Sequence, residues 1–187
     1  MHKFYQGSFK VLVLSFLFLG FITNQLRAQS FSQSELDLNG NNFNFGVTSL
    51  MYGPDGRLYV AEYPTGAIKA FSIQRNNATD YEVTAVETLN GITTMADHND
   101  DGSTHSSSNR QVTGLTVAGT ASTPIVYVSS SDVRIGAGSG GGNGDVGLDT
   151  NSGVITRFTW NGGSWEVVDL VRGLPRSEEN HATNGLE

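Results

Sequence analysis

The stretch Asp97-His98-Asn99-Asp100-Asp101-Gly102 carries oxygen-bearing side chains at alternate positions ahead of a glycine. If the backbone curls there, Asp97, Asn99 and Asp101 converge on one point and Gly102 permits the sharp turn, which is the first half of a Ca²⁺-binding loop. The second half is missing, because the twelfth position is Ser108 rather than a bidentate Glu and no helical pattern flanks the loop. A solvated acidic turn is the competing reading, since Asp, Asn and Gly form turns without any ion. His98 and His105 lie in the same stretch and could ligate a transition metal, but seven residues on a loop is not a ligand spacing, and exposed polar side chains are the simpler expectation.

A second constellation sits near the end of the chain, in Leu174-Pro175-Arg176-Ser177-Glu178-Glu179-Asn180-His181. A histidine between a charged loop and the start of a strand can accept a proton at neutral pH, and Glu178 or Glu179 could orient it. Most loop histidines do no chemistry, so spacing alone leaves His181 a candidate base and no more. Gly136-Ala137-Gly138-Ser139-Gly140-Gly141 satisfies the dinucleotide pattern, yet that pattern works only where a helix N-terminus follows to receive the pyrophosphate. Here Asn143-Gly144-Asp145-Val146 leads into another turn, so the segment reads as a glycine-rich rim loop.

The elements that must position these residues are short strands in a repeated order. One copy runs Ser49-Leu50-Met51, the turn Pro54-Asp55-Gly56, Leu58 to Ala61, Gly66 to Phe71 and Tyr81 to Val86. The other runs Thr113-Gly114-Leu115, Ile125 to Val128, Gly153 to Phe158 and Trp165 to Val171, and Asn184-Gly185-Leu186 resembles the opening of a further copy. Leu50, Leu115 and Leu186 lie 65 and 71 residues apart. Four short strands per unit is the build of a propeller blade. Tyr81 to Glu87 alternates apolar and polar residues, the period of a strand with one buried face. The fold class is therefore all-β, a partial β-propeller of about two four-stranded blades plus the start of a third. Two inserts interrupt it, Asn90 to Arg110, acidic and serine-rich, and Arg134 to Ser152, glycine-rich.

Lys3 and Lys10, the apolar run Val11 to Ile22 and then Leu26-Arg27-Ala28 follow the order of a secretory signal peptide, with 1–28 removed, 29–44 a polar leader and 45–187 the propeller part. An uncleaved anchor is the alternative, although twelve apolar residues are short for a bilayer. Cleavage leaves 8 basic against 18 acidic residues, a net charge of −10, which argues against nucleic acid as a partner. With Cys at 0, disulfides and thiolate zinc sites are excluded, so an exported chain must rest on packing or a bound ion. The expected location is periplasmic or extracellular, with no stable membrane span after cleavage and an oligomeric state left open.

Gly53-Pro54-Asp55-Gly56-Arg57-Leu58-Tyr59-Val60 and the frame from His181 to Leu186 resemble the soluble glucose/sorbosone dehydrogenase family, six-bladed propellers of which some bind pyrroloquinoline quinone. The resemblance spans Phe45 to Glu187. It implies that His181 takes the proton from a sugar's anomeric hydroxyl while hydride passes to the quinone, which Ca²⁺ holds and polarises. Ala182 and Thr183 stand where the family often has glycines, and the family's quinone-holding cations come from later blades. Two further readings stand beside this one: a non-catalytic extracellular propeller holding a glycan or protein through Ca²⁺ and its acidic rim loop, and an inactive truncated fragment whose open edges favour aggregation.

Overall fold

The computed structural model describes residues 33–43, 46–106, 109–134, 147–176, 182–183 and 185–186. Its regular elements are all strands. The first sheet comprises β1 (Leu36–Asp37), β2 (Gly46–Tyr52), β3 (Leu58–Tyr63), β4 (Ile68–Arg75) and β5 (Tyr81–Leu89), in the order β1-β5-β4-β3-β2. A small hairpin follows, β6 (Asp97–His98) with β7 (Thr104–His105). The second sheet comprises β8 (Arg110–Gly119), β9 (Pro124–Asp132), β10 (Gly153–Trp160) and β11 (Trp165–Leu174), in the order β11-β10-β9-β8. Apart from β1, which pairs parallel to β5, each sheet is an antiparallel meander.

Turn chemistry explains the tight connections. Between β2 and β3, Gly53 N–H donates to the Arg57 carbonyl at 2.9 Å and Gly56 N–H to the Gly53 carbonyl at 3.0 Å. Between β10 and β11, the Asn161 side-chain oxygen accepts from the backbone of Gly163 and Ser164 at 3.1 and 2.9 Å, which closes the hairpin.

The sheets stack through β2 and β3 against β8. Tyr59, Ala61 and Ile68 from the first sheet meet Val112, Leu115 and Phe158 from the second in one buried apolar cluster, with Trp165 packed at its border. Each Val, Leu, Ile or Phe among them contributes about 1.5–3 kcal/mol when fully buried, so this seam is the main apolar store of the fold. At its edge Arg57 stacks over the rings of Tyr59 and Trp165, its centre 5.3 and 5.9 Å from their centroids. It also reaches Asp55 at 2.6 Å and Glu87 at 2.5 Å, and the Trp165 indole N–H donates to Glu87 at 2.8 Å.

The repeat extends to irregularities. Leu50 pairs with Val60 as Leu115 pairs with Val128, and Leu58 pairs with Phe71 as Val126 pairs with Phe158. The edge strands β2 and β8 each bulge at one position, between Val47 and Ser49 and between Val112 and Gly114, which leaves Thr48 and Thr113 outside the ladder. Thr48 donates its hydroxyl to the Val112 carbonyl at 2.8 Å. Thr113 donates in the same way to the Thr183 carbonyl. Val112 lies three residues before Leu115, and Thr183 three before Leu186, so the two threonines donate at matching offsets. Gly114 allows this approach, since a Cβ there would lie 3.3 Å from the backbone nitrogens of Gly185 and Leu186.

The eight strands expected from the repeat are present at the expected places. The 29–44 leader is less detached than its polarity indicates: Leu36, Leu38 and Phe43 pack on Val60, Phe71 and Val83. The expected signal peptide, 1–28, lies outside the described residues, and no described helix is long and apolar enough to cross a membrane.

Candidate functional site, a charged rim at the strand ends

Arg110 opens β8 and Asp132 closes β9, and the antiparallel register sets them opposite each other at one end of the second sheet. Both long inserts leave from this end, so their flanking charges gather there. Asp97, Arg110 and Asp132 are fully buried and Arg176 nearly so. Arg110 donates to Asp97 at 2.6 Å, to the Ser130 hydroxyl at 3.2 Å and to the Ser152 carbonyl at 2.5 Å. Arg134 lies across Asp132, with its guanidinium 2.5 Å from the carboxylate, and also donates to Asn99 at 2.6 Å and to the His98 carbonyl at 2.7 Å. Arg176 donates to the Asp132 carbonyl.

Burial is the largest influence on Asp97 and pushes its carboxyl up to about 6, with Asp132 adding to the rise while Arg110 and Arg134 pull against it. The same burial lowers Arg110 and Arg176 from the usual arginine value.

The acidic motif folds as the turn of the β6–β7 hairpin. Asn99 N–H donates to the Ser103 carbonyl at 2.8 Å, and Gly102, at φ +82°, takes the left-handed position the turn requires. Asp101 accepts from the Ser103 N–H and hydroxyl at 2.9 and 2.6 Å. Asp97 thus faces Arg110, Asn99 faces Arg134, and Asp101 serves its own turn. These partners do not fit a calcium site at this loop: a guanidinium stands against Asp97 and another against Asn99, where a cation would need their oxygens. Ser108 lies outside the described residues.

Asp97 pairs with His105 and His98 with Thr104. Adjacent positions of a strand point to opposite faces, so His98 and His105 are not brought together. Among the described residues, no three His, Asp or Glu side chains gather as a metal-binding group.

Insert ends are tied to one another as well. Asp100 N–H donates to the Gly147 carbonyl at 2.9 Å, and Asn99 bridges Leu148. Beside this junction an open polar cleft of about 240 Å³ is lined by residues including His98, Arg110, Asp149, Asn151, Ser152 and Arg172. His181, Glu178 and Glu179, and the 136–141 glycine loop, lie outside the described residues.

No family model and no curated protein matches this chain. The rim is therefore interpreted from its own chemistry. Sequence reasoning picked out Asp97, Asn99 and Asp101 but missed Arg110, Asp132, Arg134 and Arg176. The available signal was a charge abutting an apolar strand at both mouths of the inserts, Arg110 before Val112 and Asp132 after Val128-Ser129-Ser130-Ser131.

Proposed function

We propose that this chain forms two blades and the start of a third in an exported β-propeller of the sugar-dehydrogenase kind. The observation that carries the reading is the repeated step from one unit to the next, Thr48 to the Val112 carbonyl and Thr113 to the Thr183 carbonyl, at matching offsets from Leu115 and Leu186. On this reading Thr183 and Leu186 belong to the opening of a further blade, which begins two residues after His181. In the family that the sequence resembles, a histidine at this point accepts the sugar's proton. His181 is accordingly the proposed general base, its neutral imidazole taking the proton of an aldose hydroxyl.

When bound, the quinone would supply the hydride acceptor. The described residues do not fit a quinone site, because the guanidinium groups of buried Arg110 and Arg176 and of half-buried Arg134 are engaged within the protein. No step is assigned through it here, nor through calcium. The test is expression from the whole reading frame, followed by quinone uptake and aldose-dependent reduction of an artificial acceptor with Ca²⁺ present. Activity that disappears in His181→Ala supports the reading, and a protein that takes up no quinone overturns it.

The polar cleft beside His98 favours a second reading, a glycan-binding propeller without turnover. A binder would hold its glycan on an array equally well after His181→Ala, and would lose it after Asn151→Ala or Arg172→Ala.

A further inference from the structure

Three Asn-Gly pairs lie among the described residues, Asn39-Gly40, Asn90-Gly91 and Asn161-Gly162. At such a pair the backbone nitrogen of the glycine can attack the asparagine side-chain carbon, because no Cβ on the glycine obstructs the approach. What holds the carboxamide decides how readily this happens, and the three pairs differ in that respect.

Asn161 sits in the exposed turn that joins β10 to β11. Its Oδ1 accepts from the Gly163 N–H at 3.1 Å and the Ser164 N–H at 2.9 Å, and the Ser164 hydroxyl stands 3.4 Å away. The two backbone donors aim at the atom on which negative charge develops when the side-chain carbon is attacked, which is the arrangement of an oxyanion hole. The leaving nitrogen is served as well, since Nδ2 lies 3.2 Å from the same Ser164 hydroxyl. Bonding to the N–H two residues ahead folds the carboxamide back over the Asn161-Gly162 peptide, which contains the attacking nitrogen. Gly162, at φ +93°, borders open space, and among the described residues nothing accepts a hydrogen bond from its N–H. The other pairs lack these features. Asn39 donates its Nδ2 to the Val83 carbonyl at 3.3 Å, and no described N–H reaches its Oδ1. Gly91 is wedged against Phe158 and Val167, where a Cβ would lie 2.6 and 2.7 Å from them, so its peptide is not free to turn toward Asn90.

We propose that Asn161 is a self-modification site, converted by its own turn to aspartate and isoaspartate. The inference stands on the geometry of this turn and is independent of the enzymatic reading. The Gly162 nitrogen forms a bond to Asn161 Cγ and gives its proton to hydroxide. The Cγ–Nδ2 bond breaks, and Nδ2 takes a proton from the Ser164 hydroxyl, which recovers one from water, and departs as ammonia. Water then opens the resulting five-membered imide. Attack at Cγ gives aspartate, and attack at the main-chain carbonyl gives isoaspartate, so the net change is amide and water to acid and ammonia. Either product adds a negative charge to the turn. Isoaspartate also lengthens the main chain there by one methylene, which disturbs the Asn161 N–H bond to the Ser164 carbonyl and the pairing of Trp160 with Trp165, whose rings lie 5.4 Å apart.

Peptide mapping by mass spectrometry tests this on the full 187-residue chain, held folded at mildly alkaline pH and sampled over days. In the folded wild type Asn161 should convert about tenfold or more faster than Asn39 or Asn90, the smallest advantage that its oxyanion donors should confer. Ser164→Ala should slow conversion of Asn161 severalfold in the folded chain, and should leave the rate unchanged in concentrated urea, where the turn no longer holds the carboxamide. Asn161 converting no faster than Asn39 and Asn90 overturns the proposal. So does a folded Ser164→Ala chain that converts at the wild-type rate, and so does equal slowing of that variant in urea, which would place the effect in the local sequence rather than in the turn.

Discussion

The apolar seam between the sheets and the charged rim at their strand ends are both buried, but they hold for opposite reasons. In the seam every contact adds to stability, and deleting one leaves a cavity whose cost depends little on pH. In the rim each charge is tolerable only because its partner is present, so the net worth of the cluster is smaller than the damage done by removing one member. The ionic groups at the two places also respond to acid in opposite directions. Burial raises Asp55, but hydrogen bonds from Arg57 and Tyr59 outweigh it and hold that carboxyl below its ordinary value, whereas burial prevails at Asp97.

The sharpest way to break this comparison is to cut one member from each. Phe158→Ala in the seam and Arg110→Met in the rim should each cost about 3–5 kcal/mol in urea unfolding. The seam loss should be the same at pH 5 and pH 8, whereas the Arg110 loss should shrink at pH 5, where Asp97 takes up a proton. Adding Asp97→Leu to Arg110→Met should recover stability, because the stranded charge is gone. A double variant no more stable than Arg110→Met would make the rim a stabilising ion pair in its own right.

Proton linkage gives the next largest effect. Asp97 binds its proton more tightly folded than unfolded, so its contribution is complete below its ordinary value of 3.8 and is lost as pH rises through about 6. The span corresponds to about 3 kcal/mol at most. Asp55 runs the other way: its contribution is present above 3.8 and is lost as pH falls through its lowered folded value. Unfolding midpoints measured from pH 4 to 7 should fall less steeply with rising pH in Asp97→Asn than in the wild type. An unchanged slope would remove Asp97 from the account.

Smaller effects sharpen the comparison further. Trp165→Phe keeps most of the apolar area but loses the Glu87 hydrogen bond and part of the Arg57 stacking, and should cost about 1 kcal/mol. At the rim, adding Ca²⁺ should leave the thermal midpoint unchanged, since guanidinium groups stand against Asp97 and Asn99 and Asp101 is bonded within its own turn. A calcium-dependent rise that Asp97→Asn abolishes would overturn that assignment.

Strand positions were legible because they depend on local pattern: alternation in Tyr81 to Glu87, the Pro54-Asp55-Gly56 turn, and the recurrence of Leu50 at Leu115. The equivalence of Thr48 and Thr113 was not, because a bulge changes pairing without changing composition. Nor did the polarity of the leader reveal that Leu36, Leu38 and Phe43 would pack on the first sheet.

By itself the sequence determined an all-β chain with a repeated four-strand order and an acidic balance, since strand period, turn residues and charge are properties of neighbours along the chain. Tertiary structure alone decided which partners the motif residues received. Asp97 and Arg110 are thirteen positions apart, and Asp132 lies farther still, so only the antiparallel register of β8 and β9 and the folding back of the first insert could set them together. An acidic loop that resembles a cation site by its spacing became a turn faced by arginines because Arg110 arrives from β8 and Arg134 from just past β9, which local spacing does not describe.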